Sequence, residues 1–179
     1  DTADFVQLFA RLPGTAGREG VTCFLIDTGT PGYRVVRSIA TIAGTEPCEL
    51  VFENCRVPGS QVLGEVGKGW ALNQAWLGAR RFQVGIRGHG KAQRVLRVVR
   101  DLIRHQPKAV EKLAGSIGHF LAENEALRTL TYLGAWKADQ KLDVRSEAAN
   151  VKLLGSELLG RITDFALEIV GPSALRKNH

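Results

Sequence analysis

The sequence contains no methionine and no apolar run long enough to cross a membrane. Without about 18 consecutive apolar residues, it predicts no transmembrane helix and no membrane partner. Residues 1–12 have the pattern of a strand and lack the basic flank of a signal peptide. We therefore expect a cytoplasmic protein in a bacterium, with the mitochondrial matrix as the less favoured compartment. The absence of methionine at position 1 is consistent with a fragment of a larger protein.

Cysteine and histidine are too few and too scattered for the usual disulfide, metal or nucleophile motifs. The three cysteines are odd in number and have no CxxC spacing, which predicts reduced thiols. No histidine lies at metal-ligand spacing from a cysteine or an aspartate, so no metal site is predicted. No Gly-x-Ser-x-Gly turn is present, which disfavours a serine hydrolase.

The positive charge is concentrated in one segment. The chain has a net charge of +6, and between Arg80 and Arg104 eight basic residues stand against one acid, Asp101. Such a segment can bind phosphates of a nucleic acid or a nucleotide cofactor. It can equally be a solvated face or a subunit interface with an acidic partner. The sequence leaves these alternatives open.

Residues 1–60 have the pattern of short strands separated by turns. We predict strands over residues 5–10, 21–27, 33–42 and 48–57, with a turn at Thr28–Gly32. Four strands make a thin core, so we expect part of an antiparallel sheet or barrel that needs further strands.

From Trp70 onward the apolar spacing becomes helical. We predict helices over residues 69–104, 108–140 and 144–170, the last ending at Gly171-Pro172. Leucine and isoleucine at steps of three and four mark the inward faces, including Val110 and Leu133 in the second helix and Leu154 in the third. The fold class is therefore α+β, with a partial β domain over residues 1–64 and an incomplete up-down helical bundle over residues 65–179. Four glycines of the first helix (Gly78, Gly85, Gly88 and Gly90) favour close helix packing over ligand binding. Trp70, Trp76 and Trp136 favour core or interface positions.

Motifs around the junction of the two parts resemble the acyl-CoA dehydrogenase family. Leu50-Val51-Phe52-Glu53-Asn54-Cys55-Arg56-Val57-Pro58 is similar to the last strand of the family's middle domain, and Leu63-Gly64-Glu65 with Gly67-x-Gly69-Trp70 is similar to the entry into its helical domain. The resemblance implies oxidation of an acyl-CoA thioester between its α and β carbons, with transfer of the hydride to FAD. It also implies an acceptor of the electron-transfer flavoprotein type and a homo- or hetero-tetramer.

The resemblance also indicates where substrate and cofactor bind. Arg81 followed by Gly90-Lys91-Ala92-Gln93 resembles the family's Arg…Gly-x-Ala-Gln spacing, and the four residues ending at that arginine line the thioester site. Here they are Gly78, Ala79, Arg80 and Arg81. An acid often opens this quartet, and some members carry their catalytic glutamate just before the arginine; this chain has Gly78 and Arg80 at those positions. In most members the glutamate lies further on, so we expect it beyond His179 and name no catalytic residue.

The predicted cofactor segment is Glu168, Ile169, Val170, Gly171 and Pro172. It resembles the Gln-x-x-Gly-Gly segment that contacts the flavin nucleotide of a neighbouring subunit, but Glu replaces Gln and Pro replaces the second Gly. A carboxylate near a pyrophosphate repels it. The family's Arg-x-x-Phe-Gly flavin contact, expected near residues 106–110, is absent.

Three functions therefore stand as hypotheses. The first is an acyl-CoA dehydrogenase that is inactive without parts outside this chain. The second is a non-catalytic partner in a heteromeric dehydrogenase. The third is a basic helical module that binds nucleic acid or serves only oligomerisation; because the family resemblance favours the other two, we do not expect a nucleic-acid partner.

Overall fold

A computed structural model describes residues 3–41 and 44–172 of the chain. It divides into two compact units, the first ending at Ala75 and the second beginning at Trp76. No helix among the described residues is both long and apolar enough to span a membrane.

The first unit contains two separate β-hairpins. Strands β1 (Phe5–Arg11) and β2 (Val21–Asp27) pair antiparallel, with Phe5 opposite Asp27 and Arg11 opposite Val21. Strands β3 (Tyr33–Ser38) and β4 (Cys48–Phe52) form the second pair, with an irregular register between Val35 and Arg37. The four predicted strands are confirmed, although β3 and β4 end earlier than expected. Ile42, at the end of the predicted third strand, lies outside the described residues.

The predicted barrel is not observed among residues 3–41 and 44–172, where each sheet has only two strands. A two-stranded sheet buries little on its own. Accordingly, the buried side chains of this unit are few: Cys23, Ile26 and Thr22 of β2. Cys23 is buried, whereas Cys48 and Cys55 are half-buried.

The second unit is built from three long helices. They are α1 (Gly69–Ile103), whose first turns precede the unit boundary, α2 (Pro107–Asp139) and α3 (Arg145–Val170). Every helix end lies within one residue of its predicted position. Pro107 occupies the first turn of α2, where its missing N–H costs nothing. Gly171 ends α3 with a φ of 76°, a conformation that favours glycine.

Residue contacts set the direction of the helices. Glu123 pairs with Arg161 and Lys137 with Glu147, so α2 and α3 are antiparallel. His89 of α1 meets Asn124 of α2, and further along Ile103 packs with Ile117, so these helices are also antiparallel. An up-down bundle follows from these pairs.

Two apolar clusters form the core of the bundle. One contains Ala92, Leu96, Leu127, Val151, Leu158 and Ile162, and the other contains Val99, Ile103 and Ile117. Three residues expected on inward faces, Val110, Leu133 and Leu154, are exposed instead. The reason is that α3 turns Ala148, Val151 and Gly155 toward its neighbours, which moves Leu154 outward.

Close backbone approach between α1 and α3 explains two of the four glycines. A Cβ on Gly88 would lie 2.9 Å from the carbonyl oxygen of Gly155, and one on Gly85 would lie 1.9 Å from Cγ1 of Val151. Gly78 and Gly90 have nothing within 4 Å of that position. Helix packing therefore accounts for Gly85 and Gly88 and leaves Gly78 and Gly90 free of contacts.

Candidate functional site

The quartet Gly78-Ala79-Arg80-Arg81 lies in the N-terminal half of α1. Ala79 and Arg80 are exposed, whereas Gly78 and Arg81 are half-buried. The space beside Gly78 is open, since an added Cβ would meet no atom within 4 Å. The quartet thus combines two cations with a cleared surface, which suits a bulky ligand that has acceptor oxygens.

Arg80 is held in place by two neighbours on its own helix. Its guanidinium lies over the ring of Trp76, 4.9 Å from the centroid, and its Nη1 donates to Oε1 of Gln83 at 3.3 Å. A cation over an exposed aromatic ring contributes about 0.5–1 kcal/mol. All three tryptophans, Trp70, Trp76 and Trp136, are exposed. Of the two predicted positions, core or interface, the structure contradicts the core for each of them. For all three tryptophans the interface role stays a prediction.

Arg80 cannot abstract a proton, because guanidinium remains protonated at any physiological pH. The quartet contains no carboxylate. The chemistry that this part of α1 can provide is therefore positioning: hydrogen bonds and positive charge toward acceptor oxygens of a ligand. Proton abstraction requires a base from elsewhere.

The predicted cofactor segment lies at the other end of the bundle, where α3 stops. Glu168 and Pro172 are exposed, and Ile169 packs against the cluster of Val99, Ile103 and Ile117. Beside it runs a groove of about 950 Å³, whose walls include Leu102, Ala109, Lys112 and Glu168.

This end of α3 does not fit the pyrophosphate of a flavin nucleotide. The backbone N–H of Gly171 already donates to the carbonyl of Leu167 at 2.8 Å, and Pro172 has no N–H to offer. Glu168 adds a carboxylate, and the C-terminus of a helix carries partial negative charge. All of these features disfavour a second anion.

The structure does not bring the two predicted segments together. Ile103 lies close to Ile169, whereas Arg81 is 22 positions earlier on the same helix, about 33 Å along its axis. One chain cannot close a small site from both segments. A site that uses both would need two chains.

A second groove between α2 and α3 was not predicted from the sequence. It has a volume of about 340 Å³ and apolar walls, with Glu123 and Arg161 at one end. Arg161 donates to Glu123 through both terminal nitrogens, and this lowers the pKa of the Glu123 carboxyl below its usual value. Nε2 of His119 lies 2.7 Å from Oε1 of Glu123. Glu123 and Arg161 are 38 positions apart, so no local motif could have paired them.

A polar contact inside the bundle was also missed. His89 and Asn124 are both buried; Nδ1 of His89 lies 3.2 Å from the carbonyl oxygen of Asn124, and Nδ2 of Asn124 donates to the carbonyl of His89 at 3.4 Å. Oδ1 of Asn124 is buried without a partner among the described residues. The only hint in the sequence is an asparagine where the apolar repeat of α2 drifts.

Metal chemistry finds no support in the geometry. Within residues 3–41 and 44–172, no three histidine, cysteine, aspartate or glutamate side chains are placed to share a metal ion.

Comparison with known proteins identifies the family. Residues 67–179 match the model of the acyl-CoA dehydrogenase C-terminal domain. This match covers more than half of the sequence, so the chain belongs to the acyl-CoA dehydrogenase family. The resemblance seen in the sequence is confirmed.

Two curated relatives are 31% identical to this chain over the residues that align. Acryloyl-CoA reductase (NADH) of Anaerotignum propionicum is 31% identical over 99% of the chain and 47% of the relative. (R)-Benzylsuccinyl-CoA dehydrogenase of Thauera aromatica is also 31% identical, over 87% of the chain and 40% of the relative. The chain therefore spans about half the length of the curated relatives it matches.

A solved structure matches at the level of the fold. Butyryl-CoA dehydrogenase from Megasphaera elsdenii superimposes with a TM-score of 0.90 at 25% identity, over 99% of this chain and 48% of that chain. The fold of this chain is thus similar to that of half of a known dehydrogenase.

Proposed function

We propose that this chain acts in the α,β-dehydrogenation of an acyl-CoA thioester, with FAD as the hydride acceptor. The observation that carries the proposal is the match of its helical bundle to the acyl-CoA dehydrogenase C-terminal domain over residues 67–179. One of the two relatives named above is a reductase and the other a dehydrogenase. The proposal concerns the bond between the α and β carbons, whether that bond is oxidised or reduced.

The chain's own contribution is to bind and orient the thioester. Arg81 is half-buried and Arg80 is fixed by Trp76 and Gln83, so their donors need little reordering to meet acceptor oxygens. Gly78 leaves room for the acyl chain. FAD, when bound, supplies the acceptor for the hydride. The proton at the α carbon must go to a carboxylate that the quartet lacks, and we infer that it lies outside this chain.

The segment 168–172 stays a predicted contact with the nucleotide of a neighbouring subunit. Because its carboxylate and its missing donors do not suit a pyrophosphate, we assign it no step in the reaction. An electron-transfer flavoprotein-type acceptor and a tetramer are part of the same proposal, as is a cytoplasmic or mitochondrial location.

Replacing Gly78 tests the placement of the substrate. Gly78→Leu fills the open space beside the quartet, and Gly90→Leu adds the same side chain to an equally open glycine of the same helix. In the native assembly, assayed with butyryl-CoA and a dye acceptor, we expect Gly78→Leu to lower kcat/KM by about tenfold or more. Gly90→Leu should leave it within about twofold. Equal effects of the two variants would contradict the placement of the thioester at the quartet.

One observation favours a second candidate, the non-catalytic partner in a heteromeric dehydrogenase. A cation, Arg80, stands where some members carry their base, and the end of α3 does not suit a flavin. Native mass spectrometry of the assembly separates the two candidates. One flavin per copy of this chain supports the catalytic subunit, whereas one flavin per pair of different chains supports the partner role.

A further inference from the structure

The solvent-facing side of α1 carries a row of cations that form no ion pair with the described residues. Arg87, Lys91, Arg94, Arg97 and Arg104 recur at steps of three, four and seven, so they share one side of the helix and extend about 26 Å along it. We call these five residues the basic face. All five are exposed.

No ion pair compensates this charge within the described ranges 3–41 and 44–172. The ion pairs found there involve cations of β3, α2 and α3, and none from α1 or from Arg104, the residue that follows it. The one acid in the row is Asp101. Five like charges at these spacings repel one another, which disfavours the isolated helix and favours a partner of opposite sign.

Exposed apolar side chains accompany the cations. Val84, Val98 and Leu102 border the basic face and are 39%, 50% and 48% exposed. A phosphate backbone would satisfy the cations and leave these three in water. A protein surface that presents both carboxylates and apolar side chains covers both kinds of group, as protein interfaces do.

We propose that the basic face is the docking site for a second, different protein chain whose matching surface is acidic and apolar. Neither the basic face nor α3 of a second copy suits it. Two basic faces packed together would oppose like charges. The solvent side of α3 has the acids Glu157, Asp164 and Glu168, with the cation Arg161 among them. A contact between the basic face of one copy and α3 of another would be head-to-tail, and it would continue into a filament unless the rotation between copies closed a ring.

The inference does not depend on the thioester chemistry, because the basic face contains no residue of the quartet. It assigns this chain to a hetero-oligomer whether or not the chain contributes to catalysis.

Binding of defined probes tests the proposal. The first probe is a synthetic helical peptide of about 18 residues, long enough to span the basic face, with glutamate and leucine along one side. The second has the same glutamates with alanine for leucine, and the third is a DNA duplex of the same length. By fluorescence anisotropy in about 50 mM salt, we expect the glutamate–leucine peptide to bind about tenfold more tightly than either other probe.

Matched variants assign the binding to the basic face. Arg94→Glu with Arg97→Glu should weaken binding of the glutamate–leucine peptide by about tenfold or more. Lys141→Glu with Lys152→Glu makes the same change in net charge at exposed positions outside α1, and should change it by less than about threefold. Circular dichroism checks that all variants keep their helices.

Three results would overturn the proposal. Tighter binding of DNA than of the glutamate–leucine peptide would make the face a nucleic-acid site. Salt-sensitive self-association of the protein alone, measured by sedimentation, would make the partner a second copy. If the glutamate–leucine peptide binds no better than its alanine counterpart, the exposed apolar side chains beside the basic face do not contribute to binding.

Discussion

At the crossing of α1 and α3, the absence of a side chain at Gly85 determines how closely the helices approach. Alanine there would place its Cβ 1.9 Å from Cγ1 of Val151 and 3.2 Å from Oγ1 of Thr131. Val151 is fully buried and β-branched, so it has no low-energy rotamer into which to move. Overpacking of this kind costs about 1–3 kcal/mol, which exceeds the gain of about 1 kcal/mol from alanine in a helix.

We therefore expect Gly85→Ala to lower the free energy of unfolding by about 1–2 kcal/mol in urea titrations. Gly90→Ala, on the same helix with open space around it, should raise it by up to about 1 kcal/mol. Combining Gly85→Ala with Val151→Ala should recover part of the loss, because the second change removes the clashing methyl group. A stabilising effect of Gly85→Ala alone would show that the helices are not in close contact there.

Asn124 gives a second prediction at this scale. Its Oδ1 is buried without a partner among the described residues, and its amide donates over 3.4 Å, which is long. Replacing Asn124 by an apolar side chain of similar volume loses little hydrogen bonding. Asn124→Leu should therefore change the free energy of unfolding by less than about 1 kcal/mol. Asn124→Ala, which leaves a cavity, should cost about 2–3 kcal/mol. Equal losses would mean that the amide, and not the packing, stabilises this contact.

Single residues also show where sequence reasoning stops. Four glycines in α1 predicted close packing, but composition cannot tell that Gly85 and Gly88 meet α3 while Gly78 and Gly90 do not. The difference depends on where the neighbouring helix crosses. For the same reason, the pairing of Glu123 with Arg161 and of His89 with Asn124 was not predictable from local patterns.

Whole elements were predicted more accurately than contacts, because their ends are determined locally. Pro107 and Gly171 have backbone constraints that act without tertiary structure. The apolar repeat located each helix, yet it placed Val110, Leu133 and Leu154 inward when they are exposed. When the apolar stripe of a helix is wider than the surface that neighbouring helices cover, the sequence does not show which residues of the stripe are buried.

The start of α3 was the least well explained of these ends. Val144 makes no capping hydrogen bond, and the cap comes from Asp143 instead. Oδ1 of Asp143 accepts the backbone N–H of Arg145 at 3.0 Å, and the guanidinium of Arg145 donates to both carboxylate oxygens. These hydrogen bonds lower the pKa of Asp143 to about 2.

A definite pH dependence follows. A carboxyl whose pKa is lower in the folded than in the unfolded state adds stability above its ordinary pKa and loses it as pH falls through the folded value. For Asp143 this stability is lost between about pH 4 and about pH 2. We expect Asp143→Asn to make the unfolding free energy less dependent on pH within this window, measured by urea titration at each pH. Lys152→Asn, an exposed change elsewhere on α3, is the control; an unchanged slope for Asp143→Asn would contradict the assignment.

For the whole molecule, a β part followed by a helical bundle could be predicted from the sequence. The reason is that the spacing of apolar residues changes from two to about 3.6 residues near Trp70. Whether the sheet closes could not be predicted, since closure depends on strand number and pairing, and the described residues form only two-stranded sheets. The site was predicted as two segments by resemblance. Their separation along the bundle, about 33 Å by helix geometry, is a property of the fold that no motif contains.

Assembly is the property of the whole molecule that the exposed apolar side chains predict. The groove between α2 and α3 has walls of Ala126, Leu127, Leu130, Leu154 and Leu158, and Leu154 is 49% exposed at its edge. Together with the proposed tetramer, this exposure predicts a subunit contact over the groove. Leu154→Lys adds a charge that would be costly to bury there, while in the single chain the longer side chain can reach water.

We expect Leu154→Lys to shift the assembly toward smaller species in sedimentation velocity, with a dissociation constant raised by about tenfold or more. Leu142→Lys makes the same change at a residue that is equally exposed but precedes α3 and does not line the groove, and its assembly should remain as in the parent protein. The thermal unfolding of both variants should be similar when they are compared at equal oligomeric state. If Leu142→Lys dissociates the assembly and Leu154→Lys does not, the subunit contact lies at the loop before α3 and the groove is open to solvent in the native oligomer.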